Sequence, residues 1–306
     1  GKEKYVSITI VKRKRKSTKY LQFVSTTQSS SDDESKIFLS KIVDISKHPA
    51  FLQIINFSLH DAKDNPFPTV YTDNMTKGTL FNILQQKSDD FTATKKYINI
   101  LGVIKALQHL YFNQSWHCDL KASTVYLDDN LYPHVFGYEL TQSPNAILEL
   151  EEKLKKLSFD IKSLFLLIYY IITGEKPSTE QNDNGDIEIP DLTKIRSEWL
   201  RNYIEDSFTT KFTSETVFTR IYDDFLENRP EFESEIGQID ENELNNYQET
   251  MTNYYADFLK ETSEKAENGD SFSQLVNGKI YYYGYGTDTD KKKASEYFKK
   301  AADQGD

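Results

Sequence analysis

The residues whose types and spacing could do chemistry together lie in one stretch, His117 to Leu140. It brings a histidine, an aspartate and a lysine into one short loop, at His117, Asp119 and Lys121. A loop carboxylate can act as a base towards a hydroxyl group, and a nearby lysine can hold a phosphate oxygen. These residue types suit phosphoryl transfer, a reaction that also needs carboxylate or amide ligands for magnesium.

The order of residues in this stretch resembles the catalytic loop and metal-binding motif of protein kinases, H-R-D-L-x-x-x-N followed by D-F-G. The positions that match are His117, Asp119, Leu120 and Lys121. The positions that depart are Cys118 for the arginine, Thr124 for the asparagine, and Gly137, Tyr138 and Glu139 for D-F-G. The resemblance implies a kinase-like fold without its magnesium ligands. Asp119 and Lys121 are then vestigial, and they keep the loop hydrogen-bonded and oriented.

The groups that bind nucleotide phosphates in this family are also absent at the places that the resemblance implies. The lysine of V-A-I-K maps to Val24, in the second of two strands predicted from alternating apolar residues. Its glutamate partner maps to Lys41, in a helix predicted over 36–47. A buried charge is costly without its partner, so the joint loss is what an inactive site tolerates. We therefore expect ATP binding to be weak or absent.

Two features leave other functions open. The segment from Pro68 to Gly78 resembles the kinase hinge, with Thr72 at the gatekeeper place and Asp73 to Met75 as the connector. Hinge contacts to a purine come from the backbone, so a nucleotide-binding switch without phosphoryl transfer is one alternative, and a purely structural linker is another. Glu139 could act as a stand-in magnesium ligand, which would make the protein a weakly active atypical Ser/Thr kinase.

Further elements extend the resemblance over most of the chain. Apolar residues at helical spacing predict a long helix after Thr92 that leads into the loop. The stretch from Ser158 to Pro177 resembles the buried core helix of the tyrosine-kinase-like group, in which Asp160 anchors the catalytic loop. The expected fold class is α+β, a bilobal kinase-like fold with a β-rich N-lobe and hinge over residues 1–80 and a helical C-lobe over 81–245.

The chain changes character after residue 245. Ala266-Glu-Asn-Gly-Asp270 recurs as Ala302-Asp-Gln-Gly-Asp306, a spacing of 36 residues that is typical of helical repeats. The segment between the copies resembles the Sel-one-like repeat, a relative of the tetratricopeptide helix pair, with a Y-x-x-G-x-G turn and a K-A-x-x-Y-x-x-x-A-A helix. We expect residues 246–306 to begin a C-terminal α-helical repeat array that recruits protein partners.

Composition limits the partners and the location. The formal net charge is −11, and phosphate-backbone binding needs a basic face, so we expect no nucleic-acid partner. The longest apolar run, Leu164–Ile172, is about half of the ~20 residues that cross a bilayer, so we expect a soluble, cytoplasmic protein without membrane contact. Cys118 is the single cysteine, and the five histidines show no metal-ligand spacing. No metal and no cofactor are predicted.

These features predict a pseudokinase, a kinase-like domain that is not an enzyme. We expect it to act as a scaffold or allosteric signalling module that binds protein partners through its kinase-like surface and its helical repeats. The missing lysine and the Gly-Tyr-Glu motif disfavour the atypical kinase, whereas the hinge keeps the nucleotide switch open.

Overall fold

The computed structural model describes residues 5–12, 19–25, 32–61, 63–137, 150–177, 187–212 and 216–304. These residues form a mixed α+β structure with a small sheet, a two-stranded ribbon and many helices. The chain divides into two compact units, unit 1 over residues 1–240 and unit 2 over 241–306. A helix begins at Glu241, so the domain limit predicted after residue 245 falls inside that helix.

A four-stranded antiparallel sheet forms the first part of unit 1, in the strand order β1-β2-β4-β3. Its strands are β1 (Tyr5–Lys12), β2 (Lys19–Ser25), β3 (Ile54–Ser58) and β4 (Thr69–Asp73). Helix α1 (Asp32–Ser46) connects β2 to β3. The two strands predicted at the start of the chain and the helix predicted around Lys41 are confirmed.

The described helices in the rest of unit 1 are α2 (Leu80–Gln86), α3 (Ala93–Phe112), α4 (Leu150–Thr173), α5 (Glu198–Thr209), α6 (Val217–Glu227) and α7 (Arg229–Ile236). The helix predicted after Thr92 is α3, and the Thr92 hydroxyl caps it by accepting from the Lys95 N–H. The predicted core helix forms most of α4, whose central residues are buried. The sequence pattern does not predict α7, because Phe232 is its single buried residue.

A short ribbon follows α3 and the loop after it. Its strands are β5 (Val125–Leu127) and β6 (Pro133–Val135), which pair antiparallel. The Leu52 N–H donates to the Val135 carbonyl at 3.1 Å, and the Val135 N–H donates to the Ala50 carbonyl at 2.8 Å. These bonds join the ribbon to the segment between α1 and the sheet. The loop is therefore flanked by regular structure on both sides.

Within residues 241–304, unit 2 is built from α8 (Glu241–Glu267), α9 (Ser271–Tyr283) and α10 (Lys291–Ala302). Asp270 and Asp290 cap α9 and α10 by accepting from backbone N–H groups of the first turn. The two helices pack closely, since a Cβ built on Gly278 would lie 2.6 Å from the Phe298 ring. The helices α9 and α10 lie where the repeat pattern predicts a helix pair. The repeat resemblance itself stays a prediction.

Candidate functional site

The loop from His117 to Thr124 is anchored by the buried carboxylate of Asp160 on α4. Its Oδ2 accepts from the His117 N–H at 2.9 Å and from the Tyr111 hydroxyl at 3.1 Å, and its Oδ1 accepts from the Cys118 N–H at 2.7 Å. Hydrogen bonds to an ionised acceptor are about twice as strong as neutral ones. They stabilise Cys118 in the left-handed region, φ +57°, which non-glycine residues rarely adopt. The anchoring role expected of Asp160 is confirmed.

The ring of His117 is fully buried and ties the loop to the end of β6. Its Nδ1 accepts from the Asp119 N–H at 3.2 Å, and its Nε2 lies 3.1 Å from the Phe136 carbonyl oxygen. A neutral ring with its proton on Nε2 satisfies both contacts. His117 therefore orients the loop from its buried side, while Asp119 and Lys121 lie on the exposed side.

Asp119 and Lys121 form an ion pair, with Lys121 Nζ 3.0 Å from Asp119 Oδ2 and both side chains 41% exposed. Thr124, at the place of the asparagine, uses its hydroxyl inside the loop. The hydroxyl donates to the Lys121 carbonyl at 2.9 Å and accepts from the Lys121 N–H at 3.1 Å. The loop thus presents a partly solvated acid–base pair, and the Thr124 oxygen is engaged by the backbone.

Gly137 is the one residue at the place of D-F-G that the structure describes. Its φ is +88°, in the left-handed region that favours glycine. A Cβ there would meet Thr124 Cγ2 at 3.7 Å, an ordinary contact, so the backbone conformation is what favours glycine. Gly137 has no side chain that could bind a metal ion. Tyr138 and Glu139 lie outside the described residues.

Three aromatic rings fill the space where β2 meets the ribbon, and we call Phe23, Tyr126 and Phe136 the aromatic cluster. The Phe23 ring lies 4.1 Å from the Phe136 ring and meets the Tyr126 ring edge-on at 5.8 Å. All three side chains are buried. Side chains alternate along a strand, so Phe23 faces the ribbon and Val24 faces the opposite way. The β2 side chain that reaches the loop region is therefore Phe23, although the motif spacing points to Val24.

Lys41, at the place of the helix glutamate, lies on α1 and is half-buried. Burial lowers its pKa, because a buried ammonium loses its hydration. None of the described carboxylates forms an ion pair with it. Helix α1 therefore carries a partly desolvated cation at the position where the resemblance predicts the loss of a carboxylate.

The hinge-like segment begins at the end of β4. Thr72 is fully buried, and its hydroxyl donates to the carbonyl of Asp73, whose side chain is exposed. The chain then turns, as the Gly78 N–H donates to the Met75 carbonyl at 3.1 Å. The Gly78 carbonyl accepts from the Leu127 N–H at 2.9 Å. The segment thus connects the sheet to the ribbon, and the Met75 carbonyl takes part in this turn.

A cleft of about 610 Å³ opens beside Asp119 and Lys121. The loop, α2, α4 and the chain after α4 form its walls, and its apolar lining includes Phe81, Phe159, Leu166, Leu167, Tyr170 and Ile187. Lys176 adds a second cation, with Nζ 5.9 Å from the centre of the Phe81 ring. The cleft therefore combines apolar walls with charged groups from Asp119, Lys121 and Lys176.

Two buried histidines, which the sequence analysis does not single out, stack where the end of α1 meets α3. The His48 and His109 rings lie 4.4 Å apart and are 0% and 2% exposed. Burial lowers the pKa of both, to about 3 for His109. Lys105, one turn before His109, also has its pKa lowered by burial, to about 8. The position of His109 on the buried face of α3 is the signal that could have revealed the pair.

The chain matches no known protein-family model, and no curated protein sequence matches it significantly. Among the described residues, no group of three or more histidine, cysteine, aspartate or glutamate side chains could hold a metal ion. No helix in that part of the chain is long and apolar enough to cross a membrane. Function is therefore inferred from the geometry of the loop and of the aromatic cluster.

Proposed function

We propose that unit 1 is a catalytically inactive, bilobal protein kinase-like domain that works as a scaffold or allosteric module in the cytoplasm. In this proposal the helices of unit 2 belong to a repeat array that recruits protein partners. The observation that carries most weight is the contact between Phe23 and Phe136. Phosphoryl transfer requires a lysine and metal ions around the phosphates. Two apolar rings next to Gly137 offer neither.

The arrangement of the loop supports the kinase-like part of the proposal. A buried aspartate on a long apolar helix holds the backbone of the loop, as the resemblance implies for Asp160. The ion pair between Asp119 and Lys121 gives both residues a structural role that needs no substrate. This explains why the two charges persist in a loop that lacks magnesium ligands.

The size of the expected loss in reaction rate supports the proposal that the domain is catalytically inactive. Removing one preorganised electrostatic contact typically costs ~10²–10³ in rate. The strand lysine, its glutamate and the asparagine ligand are each replaced, and Gly137 replaces the aspartate of D-F-G. Losses of this kind at several positions leave no measurable turnover. A scaffold needs a folded domain and its surfaces, but none of these electrostatic contacts.

The test is nucleotide binding by the whole chain, measured as a shift in melting temperature. ATP at millimolar concentration is added with magnesium, with manganese or with EDTA, because a ligand that binds the native state must raise the melting temperature. We expect no shift under any of the three conditions. A shift that requires metal would favour the atypical kinase and a role for Glu139. A shift in EDTA would favour the nucleotide switch through the Asp73–Met75 connector.

The role of Asp119 gives a second test. Asn has nearly the same shape as Asp but cannot act as a base, so Asp119→Asn should abolish any phosphoryl transfer. A scaffold should keep its cellular function with this change. Loss of function in Asp119→Asn, with an unchanged melting temperature, would contradict the proposal. The ion pair with Lys121 is solvent-exposed, and such pairs contribute about 0–1 kcal/mol, so the variant should fold.

A further inference from the structure

Helix α10 of unit 2 is basic in a chain that is strongly acidic overall. Its sequence, KKKASEYFKKAA, holds five lysines and one glutamate, whereas the formal net charge of the chain is −11. All five lysines are exposed. Lys293, Tyr297 and Lys300 are four and three residues apart, so they share one face of the helix. A basic helix in an acidic chain is a candidate binding surface for an anionic group.

Tyrosine rings order the lysines on this face. The rings of Tyr281 on α9 and Tyr297 on α10 stack with their centres 5.9 Å apart and their planes 4° from parallel. Lys293 Nζ donates to the Tyr281 hydroxyl at 2.7 Å and lies 4.2 Å from the centre of that ring. Lys300 Nζ lies 5.6 Å from the centre of the Tyr297 ring. We call these four residues the Lys–Tyr face.

The lysines of the Lys–Tyr face differ from those of the neighbouring helix α8. Lys260 and Lys265 on α8 pair with carboxylates of their own helix, at 3.0 Å to Asp257 and 3.3 Å to Glu261. No described carboxylate forms such a pair with Lys293 or Lys300. Cation–π contacts position an ammonium group but do not neutralise its charge. Glu296 lies on this face too, three residues after Lys293 and four before Lys300, and it reduces the local positive charge without pairing with either lysine. The two ammonium groups therefore remain able to contact an anionic partner.

We propose that the Lys–Tyr face binds an acidic, extended segment of a partner protein, with carboxylates at Lys293 and Lys300 and apolar side chains against the two tyrosines. This inference rests on the proposed role of unit 2 in recruiting proteins. Seven residues of helix separate the two lysines by ~10 Å. A polyproline II peptide repeats every three residues, over ~9 Å. The face thus fits a segment with glutamates three positions apart.

A nucleic acid is the poorer match for this surface. Affinity for a phosphate backbone grows with the number of phosphates neutralised, and it needs a net basic footprint. The Lys–Tyr face supplies two ordered lysines in a chain of net charge −11. The stacked tyrosines are half-buried, so part of each ring is accessible to the side chains of a peptide.

The test uses the full chain and a fluorescein-labelled Glu-Pro-Leu repeat peptide, which keeps its glutamates three positions apart in a polyproline II backbone, with a Gln-Pro-Leu repeat peptide as the uncharged control. Fluorescence anisotropy should show saturable binding of the acidic peptide, and the control should not bind. The double variant K293E/K300E should weaken binding by at least about tenfold, because attraction becomes repulsion at both ends. The matched control K292E/K299E has the same charge change and spacing on an adjacent face of α10. It should stay within about twofold of the wild type.

Three results would overturn the inference: no binding of the acidic peptide, equal loss in both double variants, or tighter binding of an oligonucleotide than of the peptide. Equal loss of affinity in the two double variants would mean that the peptide is attracted to the charge of the whole helix and not to the Lys–Tyr face. Circular dichroism of each variant checks that α10 still folds. The nucleotide assay on unit 1 is independent of these changes, so failure here is distinguishable from failure of the inactive-kinase proposal.

Discussion

Mild acid should destabilise unit 1 through the buried histidine pair. His48 and His109 are stacked and almost fully buried. Burial lowers the pKa of both rings, to about 3 for His109, and charge on His109 and Lys105 lowers the pKa of His48 further. Below the ordinary histidine pKa of 6.5, the unfolded chain binds these protons and the folded chain does not. The free energy of unfolding therefore falls as the pH falls through 6.5.

The magnitude follows from proton linkage. At pH 5.0 a histidine with a pKa of 6.5 stabilises the unfolded state by about 2 kcal/mol, whereas a ring with a pKa near 3 contributes almost nothing to the folded state. His109 alone should then lower the free energy of unfolding by about 2 kcal/mol between pH 7.5 and pH 5.0. His48 acts in the same direction. This loss is a large part of a typical stability of ~5–15 kcal/mol.

Urea unfolding at the two pH values measures this effect. Trp116 and Trp199 are the two tryptophans of the chain and both lie in unit 1, so their fluorescence reports on this unit. The variant His109→Phe keeps a ring in the stack and should remove about 2 kcal/mol of the pH-dependent loss. The control Phe51→Leu alters packing against His109 without removing a titratable group. It should lower stability equally at both pH values.

Proton linkage through the histidine pair would be refuted if His109→Phe lost as much stability as the wild type on acidification. It would also be refuted if the wild type showed no loss between pH 7.5 and pH 5.0. In the first case the protons that destabilise the folded chain would bind at other groups. If Phe51→Leu reduced the pH-dependent loss of stability as much as His109→Phe does, the reduction would be due to altered packing and not to proton binding by His109.

Other substitutions test the loop, the cluster and the repeat unit. Asp160→Ala removes the acceptor for two backbone N–H groups and should cost about 3–5 kcal/mol in urea unfolding, whereas the exposed Glu151→Ala on the same helix should cost little. Phe23→Ala should cost about 3–5 kcal/mol by opening a cavity in the aromatic cluster, and the variant should still bind no ATP. Gly286→Ala would place its Cβ 2.5 Å from the Ala256 backbone nitrogen. It should destabilise unit 2 by about 1–3 kcal/mol more than Gly269→Ala, where the space is open, in melts followed by circular dichroism.

Local features of unit 1 were largely predictable because they depend on neighbours in the chain. Apolar residues every three to four positions mark α3, and Thr92 marks its start through a hydrogen bond three residues away. The apolar run in α4 marks a buried helix. The resemblance also led to Asp160, whose bonds to the loop the structure confirms. Helix α7 was not predicted, because its single buried residue, Phe232, gives no periodic apolar pattern.

Only the tertiary structure decided which distant side chains meet. Strand alternation shows that Phe23 and Val24 face opposite ways, but the pairing of β2 with β4 and the position of the ribbon decide that Phe23 faces inwards. In the same way, His48 and His109 become neighbours only when α1 packs near α3. The sequence by itself therefore determined which residue types stand at Val24, Lys41, Thr124 and Gly137. The packing of remote segments decided that aromatic rings fill the space beside Gly137, because contacts between such segments leave no periodic signal in the chain.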